Sequence, residues 1–409
     1  MTLPARKPRI AYVRGSYLNP FEAQYLEPLQ DRFDLTVAHP RSHRFDVSSI
    51  ALPRRELPCL DYLNGLIPRT VGSVRIPNPQ KYLGIDEYLF GLDRFLPGFD
   101  LLHVGEQSFY SSYQIALRKQ RYGFRLVTSQ AEINPLWFDG FGNTLARAQR
   151  VREQTDLFIA RTERARCALL CEGVAPERIR VIGHGVDTAR FSPGPRPAEL
   201  ARKFAIGPDH IVILLVGRLV WEKGIFALAD AARLLLADPR PGALQPLFVL
   251  AGDGEERRRL ERRLELLGIQ QHFRLLGNLP YELLPEVHRL ADIFVLPSIA
   301  TRYVLEQFGI ALIEAMATGK PIVATHCGAI DEVVGDAGLL VQANDYYRLS
   351  ETLRTLLGNA PLRQQLGRSA LERVQRKFRK ERISSLISEA YHEVLALPAV
   401  APALPAVGA

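Results

Sequence analysis

Cysteine is scarce in this 409-residue chain: there are four, at positions 59, 167, 171 and 327, in neither a disulfide framework nor a metal-binding spacing. Cys167 and Cys171 fall one helical turn apart, but no second pair and no histidine partner accompanies them, so packing is expected and a metal is not. Also missing is any apolar window long enough to cross a bilayer, and the opening MTLPARKPRIAYVRG lacks the apolar stretch of a signal peptide. These absences point to a reducing, cytoplasmic setting. The basic residues are not interleaved with aromatics and form no recognisable nucleic-acid module, which removes nucleic acid from the expected partners.

What is present is material for two large cores, with 47% hydrophobic and 23% charged residues. The run IVILLVG at 211–217 reads as a strand buried on both faces of a parallel sheet. Shorter apolar runs at 9–13, 34–38, 101–104, 125–127, 157–160 and 292–296 alternate with helical stretches, the pattern of doubly wound α/β domains. Helices are expected at 21–29, 113–122, 225–236, 309–317, 362–378 and 380–395. The expected organisation is a first Rossmann-like domain at 1–192 and a second at 193–379. A helix at 380–396 crosses back to the first, and 397–409 is a Pro/Ala tail with nothing to pack. Pro193, Pro195 and Pro197 form a stiff linker at the boundary.

The chemistry concentrates in GRLVWEKG and EQFGIALIE. Arg218 and Lys223 follow the 211–217 strand, at the end where open α/β sheets hold ligands. A fixed cation pair there can stabilise a departing diphosphate, whereas the plainer reading is two solvated loop cations. Glu306 precedes a helix opened by Gly309, and Glu314 lies about a turn and a half inside it. The glycine lets backbone approach a ligand, and the first-turn amides favour an anion. Two carboxylates so placed can accept from the hydroxyls of one elongated ligand. Glu314 sits among Ala311, Leu312, Ile313, Ala315, Met316 and Ala317, a setting in which a glutamate needs a partner or a task.

These segments resemble the retaining glycosyltransferases of family 4, with the two-domain GT-B fold. The resemblance rests on Gly217, Arg218, Lys223 and Gly224, on Gly252 and Gly254 in AGDGEE, and on Gly277, Pro297 and Ser298. It continues through the Glu306 to Glu314 motif in its EQFG form, EAMATGKPIVAT, Gly328, Glu332 and GLLV at 338–341. It is dense in the C-terminal half and thin in the N-terminal half. The resemblance implies an α/β fold of two Rossmann-like domains facing across a cleft, and transfer of a hexosyl unit from a UDP- or GDP-linked sugar to a hydroxyl acceptor. By position, Arg218 and Lys223 would bind the diphosphate, Glu314 the ribose and Glu306 the donor sugar. The backbone around Phe308, Gly309 and Ile310 would meet sugar and phosphate, Gly277 would lie near the base, and Gln307 would add a sugar contact. Gly15, after the first strand, is either a phosphate-approaching loop or simply a turn. Relatives usually read Pro-Asn-Gly-Val-Asp where this chain has Gly183 and His184, and a structural role is expected for His184.

Many relatives place a histidine after the fifth strand of the first domain, where this chain has Gln130, with Glu132 two residues on and Glu106 at another strand end. Front-face departure needs no protein nucleophile, and Gln130 then braces a sugar hydroxyl or the acceptor. A double displacement would require Glu132. No cofactor or metal is expected, since no Asp-x-Asp pair ends a strand and the cations take its role. The acceptor is expected to be lipid-linked or a saccharide, in glycolipid or surface polysaccharide synthesis. Of the net charge of +8, much falls in the first domain: Arg6, Lys7, Arg9, Arg41, Arg44, Arg54, Arg55, Arg118, Lys119 and Arg121. A helix at 113–122 placing Ile115 and Leu117 among such cations suits an anionic membrane surface, equally with incidental surface charge. Two other readings keep the fold: a silent nucleotide-sugar-binding subunit, and a phosphorylase or epimerase.

Overall fold

The computed structural model describes residues 6–41, 45–60, 88–137, 143–237, 245–301 and 304–398, with the backbone of 70–71 and 74–75. Two compact units divide the chain, residues 1–185 with 380–409 and residues 186–379. The segment 186–192, assigned from sequence to the first domain, falls in the second. Its ties explain why: the Val186 N–H donates to the Phe378 carbonyl, and the Arg289 guanidinium donates to both the carbonyl and the hydroxyl of Ser192.

The first unit contains β1 (Arg9–Val13), β2 (Asp34–Pro40), β3 (Arg54–Leu57), a small antiparallel pair β4 (Thr70–Val71) and β5 (Val74–Arg75), then β6 (Leu101–Val104), β7 (Arg125–Gln130), β8 (Leu157–Ala160) and β9 (Ile179–Val181). Seven of these form one parallel sheet in the order β3-β2-β1-β6-β7-β8-β9. The chain's second half supplies β10 (His210–Val216), β11 (Gln245–Ala251), β12 (Phe273–Gly277), β13 (Ile293–Leu296), β14 (Ile322–His326) and β15 (Gly338–Gln342). Their order, β12-β11-β10-β13-β14-β15, is the Rossmann sequence 3-2-1-4-5-6, with its switch point between β10 and β13.

Continuous apolar strands become central because both faces are covered. Ile211, Ile213 and Leu215 of β10 pack with Leu228, Ala232 and Leu235 of the helix Ile225–Ala237. In the first unit Ala11, Val13, Leu102, Val104 and Leu126 pack with Ile115 and Val151 from covering helices. The helix Lys380–Leu395 also belongs to this unit. It buries Ile383, Ile387, Tyr391 and Val394, and its Tyr391 hydroxyl lies 2.7 Å from His103 Nδ1. Among the described residues no helix is long and apolar enough to cross a membrane.

Three sequence expectations change. The helix expected at 21–29 is a short Pro20–Ala23 turn of helix followed by a 3-10 stretch, Glu27–Asp31. Pro28 supplies no N–H for the carbonyl of Gln24, and its ring opposes α continuation there. The helix expected at 113–122 is instead Tyr110–Ala116 and Lys119–Tyr122, and its cations have acidic partners, although Leu117 and Arg121 are exposed. Arg118 forks onto Asp93 at 3.0 Å, Lys119 is buried against Asp156 at 2.7 Å, and Ile115 is fully buried. Elsewhere in the first unit Arg6 pairs with Asp100 and Arg41 with Glu56, while Arg44 lies outside the described residues. Finally, Cys167 and Cys171 are exposed, so neither is the packed thiol expected.

Candidate functional site

The carboxyl ends of β10 and β13 bring the two sequence motifs of the second unit together. Past β10 the chain turns through Trp221–Lys223 into Gly224, whose φ is +67°. A Cβ on Gly224 would stand 1.8 Å from the Pro297 carbonyl oxygen, so only glycine lets this turn press on the end of β13. Gly328 does the same for the other motif. With φ at +59°, it leaves room for the Glu306 carbonyl, which accepts from the Ala329 N–H at 2.8 Å.

Glu306 is the centre of this edge. Its Oε2 accepts from Lys223 Nζ at 2.6 Å and from Ser298 Oγ at 2.9 Å. Burial pushes the carboxyl up, but the Lys223 ammonium, the Ser298 hydroxyl and the nearby Arg218 outweigh it, so Glu306 stays below the usual carboxylate range and is ionised. Lys223 uses one of three ammonium hydrogens on Glu306 and keeps donors for a second anion. Arg218 is the freer cation: its side chain is 70% exposed and touches Glu222 at 3.2 Å. Phe308 is buried with its ring edge-on to Phe378, Gln307 is half-buried, and Gly309 has φ +78° where it opens the helix Ile310–Ala317. Gly217 directly follows β10 and Gly277 ends β12, at the same edge.

Glu314 is buried among apolar neighbours and has a partner that sequence reasoning missed. His288, on the helix Leu284–Leu290, places Nε2 3.4 Å from Glu314 Oε2. The imidazole is fully buried beside Phe191 and Phe294, and its Nδ1 has no hydrogen-bond partner among the described residues. A histidine beside Val287, on the buried side of the short helix LPEVHRL, was the available signal.

The first unit carries its own polar edge. Gly15, with φ +62°, opens a short 3-10 turn after β1. Just before it, Arg14 Nε donates to Glu22 at 3.0 Å, and Tyr12 donates to the same carboxylate. Glu106 accepts from the Ala131 N–H at 2.9 Å, and its other oxygen is buried without a hydrogen-bond partner among the described residues; burial above all pushes this carboxyl up to about 7. Among the described residues the buried Gln130 Oε1 also lacks a hydrogen-bond partner, as does Arg14 Nη1. Glu132 caps the following turn, one oxygen accepting from the Ile133 and Asn134 amides. Beneath this edge runs a buried relay absent from the sequence reading: Tyr391 to His103, His103 to Ser129, and Ser129 to Arg161. Burial holds His103 and His184 well below the usual histidine range, so both are neutral, and His184 sits 3.2 Å from the Tyr25 hydroxyl as a core residue.

Two family models match this chain, Glycosyl transferases group 1 over residues 198–373 and Glycosyltransferase Family 4 over residues 20–190. The chain belongs to the group 1, family 4 glycosyltransferases. Among curated relatives of this family 4 chain is the D-inositol 3-phosphate glycosyltransferase of Geodermatophilus obscurus, 35% identical over 52% of this chain and 48% of that one. That of Corynebacterium efficiens is 36% identical over 53% and 51%, so the chain spans about half the length of these two relatives. D-inositol 3-phosphate glycosyltransferase 1 of Catenulispora acidiphila is 28% identical over 76% and 77%. Among solved structures, HepE of Anabaena in complex with UDP-glucose is 20% identical with a TM-score of 0.74, covering 94% of this chain and 99% of that one. Sucrose-phosphate synthase of Thermosynechococcus elongatus is 21% identical with a TM-score of 0.74, over 96% and 100%. These likenesses give the family 4 chain the GT-B fold, with its two Rossmann-like domains.

Proposed function

We propose that the protein transfers a hexosyl unit from a nucleotide-diphosphate sugar to a hydroxyl acceptor with retention of anomeric configuration. The observation that carries the reading is the Lys223–Glu306–Ser298 cluster at the switch point of the second sheet, an ionised carboxylate fixed beside a cation with unused donors. The carboxylate accepts from donor-sugar hydroxyls, while Lys223 and Arg218 take the diphosphate oxygens. The amides of Phe308, Gly309 and Ile310 meet sugar and phosphate at a helix N-terminus. Glu314 takes the ribose hydroxyls and the Gly277 edge the base, with Gly217 and Gly15 as close-approach turns and Gln307 as a further sugar contact.

In the front-face course, the bond from the anomeric carbon to the diphosphate oxygen breaks, and the electron pair leaves with the diphosphate. The acceptor oxygen bonds to the same face, and its proton passes to the leaving phosphate oxygen. Gln130 and Glu106 serve the acceptor side; Glu132, already engaged by two amides, is less suited to a nucleophile's part. The cations supply the electrostatic stabilisation and no metal is invoked. UDP-linked donors come first because HepE, a fold relative, binds UDP-glucose. A lipid-linked or saccharide acceptor in glycolipid or surface polysaccharide synthesis completes the reading.

The test is donor hydrolysis and transfer with UDP- and GDP-sugars, product configuration being read by NMR. Wild type is expected to turn over one donor with retention, and Arg218→Ala to lose roughly a hundredfold or more in kcat. Unchanged kcat in Arg218→Ala would remove the cation assignment, and no turnover of any donor would favour the silent subunit.

A further inference from the structure

The second unit carries a groove of about 560 Å³ that the donor reading does not use, walled by Trp221, Phe226, Arg259, Arg262, Leu266 and Tyr346. Large apolar side chains gather there to an unusual degree. Leu266 is 78% exposed, more than any other large apolar side chain among the described residues, and Tyr346, Trp221 and the adjacent Tyr347 are also exposed. Exposed apolar groups gathered in one patch mark an interaction surface, whereas scattered ones do not.

The charge beside them is only partly spent, and Arg259 also pairs with Glu256 at 3.6 Å. On the helix Arg257–Leu267, Leu260 and Leu264 face the core, while Arg258, Arg262 and Leu266 follow at spacings of four on the outer face. Arg263 is held by Asp230 at 2.7 Å, and Arg259 lies over the rings of Trp221 and Phe226 at 5.1 and 5.3 Å. Arg258 and Arg262 make no hydrogen bond or ion pair to any described residue. The groove itself carries three arginines against one aspartate. A second copy of this face would therefore meet it with like charge.

We infer that this face docks on a membrane surface rich in anionic headgroups. Trp221 and Tyr346 have apolar bodies with polar tips suited to the headgroup layer, Leu266 projects far enough to enter it, and Arg258 and Arg262 meet the phosphates. This surface is distinct from the first-unit segment 110–122, whose cations lie beside Asp93 and Asp156, and it stands independently of which donor is used.

The experiment is co-sedimentation of the full chain with vesicles of phosphatidylcholine alone and of phosphatidylcholine with phosphatidylglycerol. Binding is expected only to the anionic vesicles and to fall with salt. Each cation near such a surface contributes about 1 kcal/mol, so Arg262→Glu, a change of two charges, should lower the partition about thirtyfold. Leu266→Asp should weaken it too, with donor hydrolysis unchanged as the check on folding. In a Trp137→Phe background Trp221 is the sole tryptophan, and its emission should shift to the blue on the anionic vesicles. Equal binding to both vesicle types, no binding to either, or Arg262→Glu and Leu266→Asp binding like wild type would overturn the inference. So would a protein complex, with an acidic partner or a second copy, that Leu266→Asp dissolves while vesicle binding persists.

Discussion

Replacing Lys223 by methionine keeps much of the stem but leaves Glu306 a carboxylate without its cation. The pair is close, at 2.6 Å, and sheltered, with side-chain exposures of 20% and 11%. Removing one member of a fully buried pair costs about 3–5 kcal/mol. Here some water reaches the pair and Ser298 still donates to the same oxygen, so about 2–3 kcal/mol is expected near neutral pH. The sign of the pH dependence is the sharper point. In wild type the depressed Glu306 contributes stability above the ordinary carboxylate pKa, and that contribution is lost as pH falls through its lower folded value. Without Lys223, burial dominates and the carboxyl rises instead, so its ionised form opposes folding. The penalty of Lys223→Met should therefore shrink as pH falls toward about 4, where the variant's carboxyl is neutral. Urea unfolding at several pH values, followed through Trp221 in a Trp137→Phe background, reads this directly. The double variant with Glu306→Gln should recover about 2 kcal/mol of the summed losses. A penalty that is small and independent of pH would refute the coupling on which the site is built.

Two further outcomes follow from buried groups. Glu106, raised to about 7 from an ordinary 4.5, costs stability as pH rises from the unfolded to the folded value. Glu106→Gln should therefore match wild type near about pH 4 and exceed it by about 3 kcal/mol above about pH 8, measured by denaturant unfolding; a constant difference contradicts the burial argument. His288→Phe removes the contact to Glu314, and should lower affinity for the donor nucleotide about tenfold, about 1.4 kcal/mol, while affecting its 2′-deoxy form less. Equal losses for both nucleotides, by calorimetry, would mean that His288 acts on the fold and not through the ribose contact.

The sheets were legible because parallel strands buried on both faces are written as continuous apolar runs, and β1, β6, β8, β10 and β13 all carry that mark. Gly224 and Gly309 were legible through their place next to strands and helices. What pattern could not convey was side-chain reach across the chain. The break between Ala116 and Lys119 goes with Arg118 turning to Asp93, a partner 25 residues away. The buried relay joins His103 to Tyr391 over 288 residues, and only a histidine inside the strand LLHV hinted at it. Periodicity also read the cations of that helix as a surface stripe, because spacing records which face a residue shares but not whether a carboxylate waits there.

The central claim, a nucleotide-sugar site at the β10 and β13 edge, is tested most directly by isothermal calorimetry of UDP, GDP and their glucose conjugates. The experiment uses wild type, Lys223→Met and Glu314→Gln. The expected result is selective binding of one nucleotide family by wild type, weakened by both substitutions, with Lys223→Met losing more for the diphosphate than for the monophosphate. Binding that neither substitution alters, in protein shown to be folded, would contradict the site.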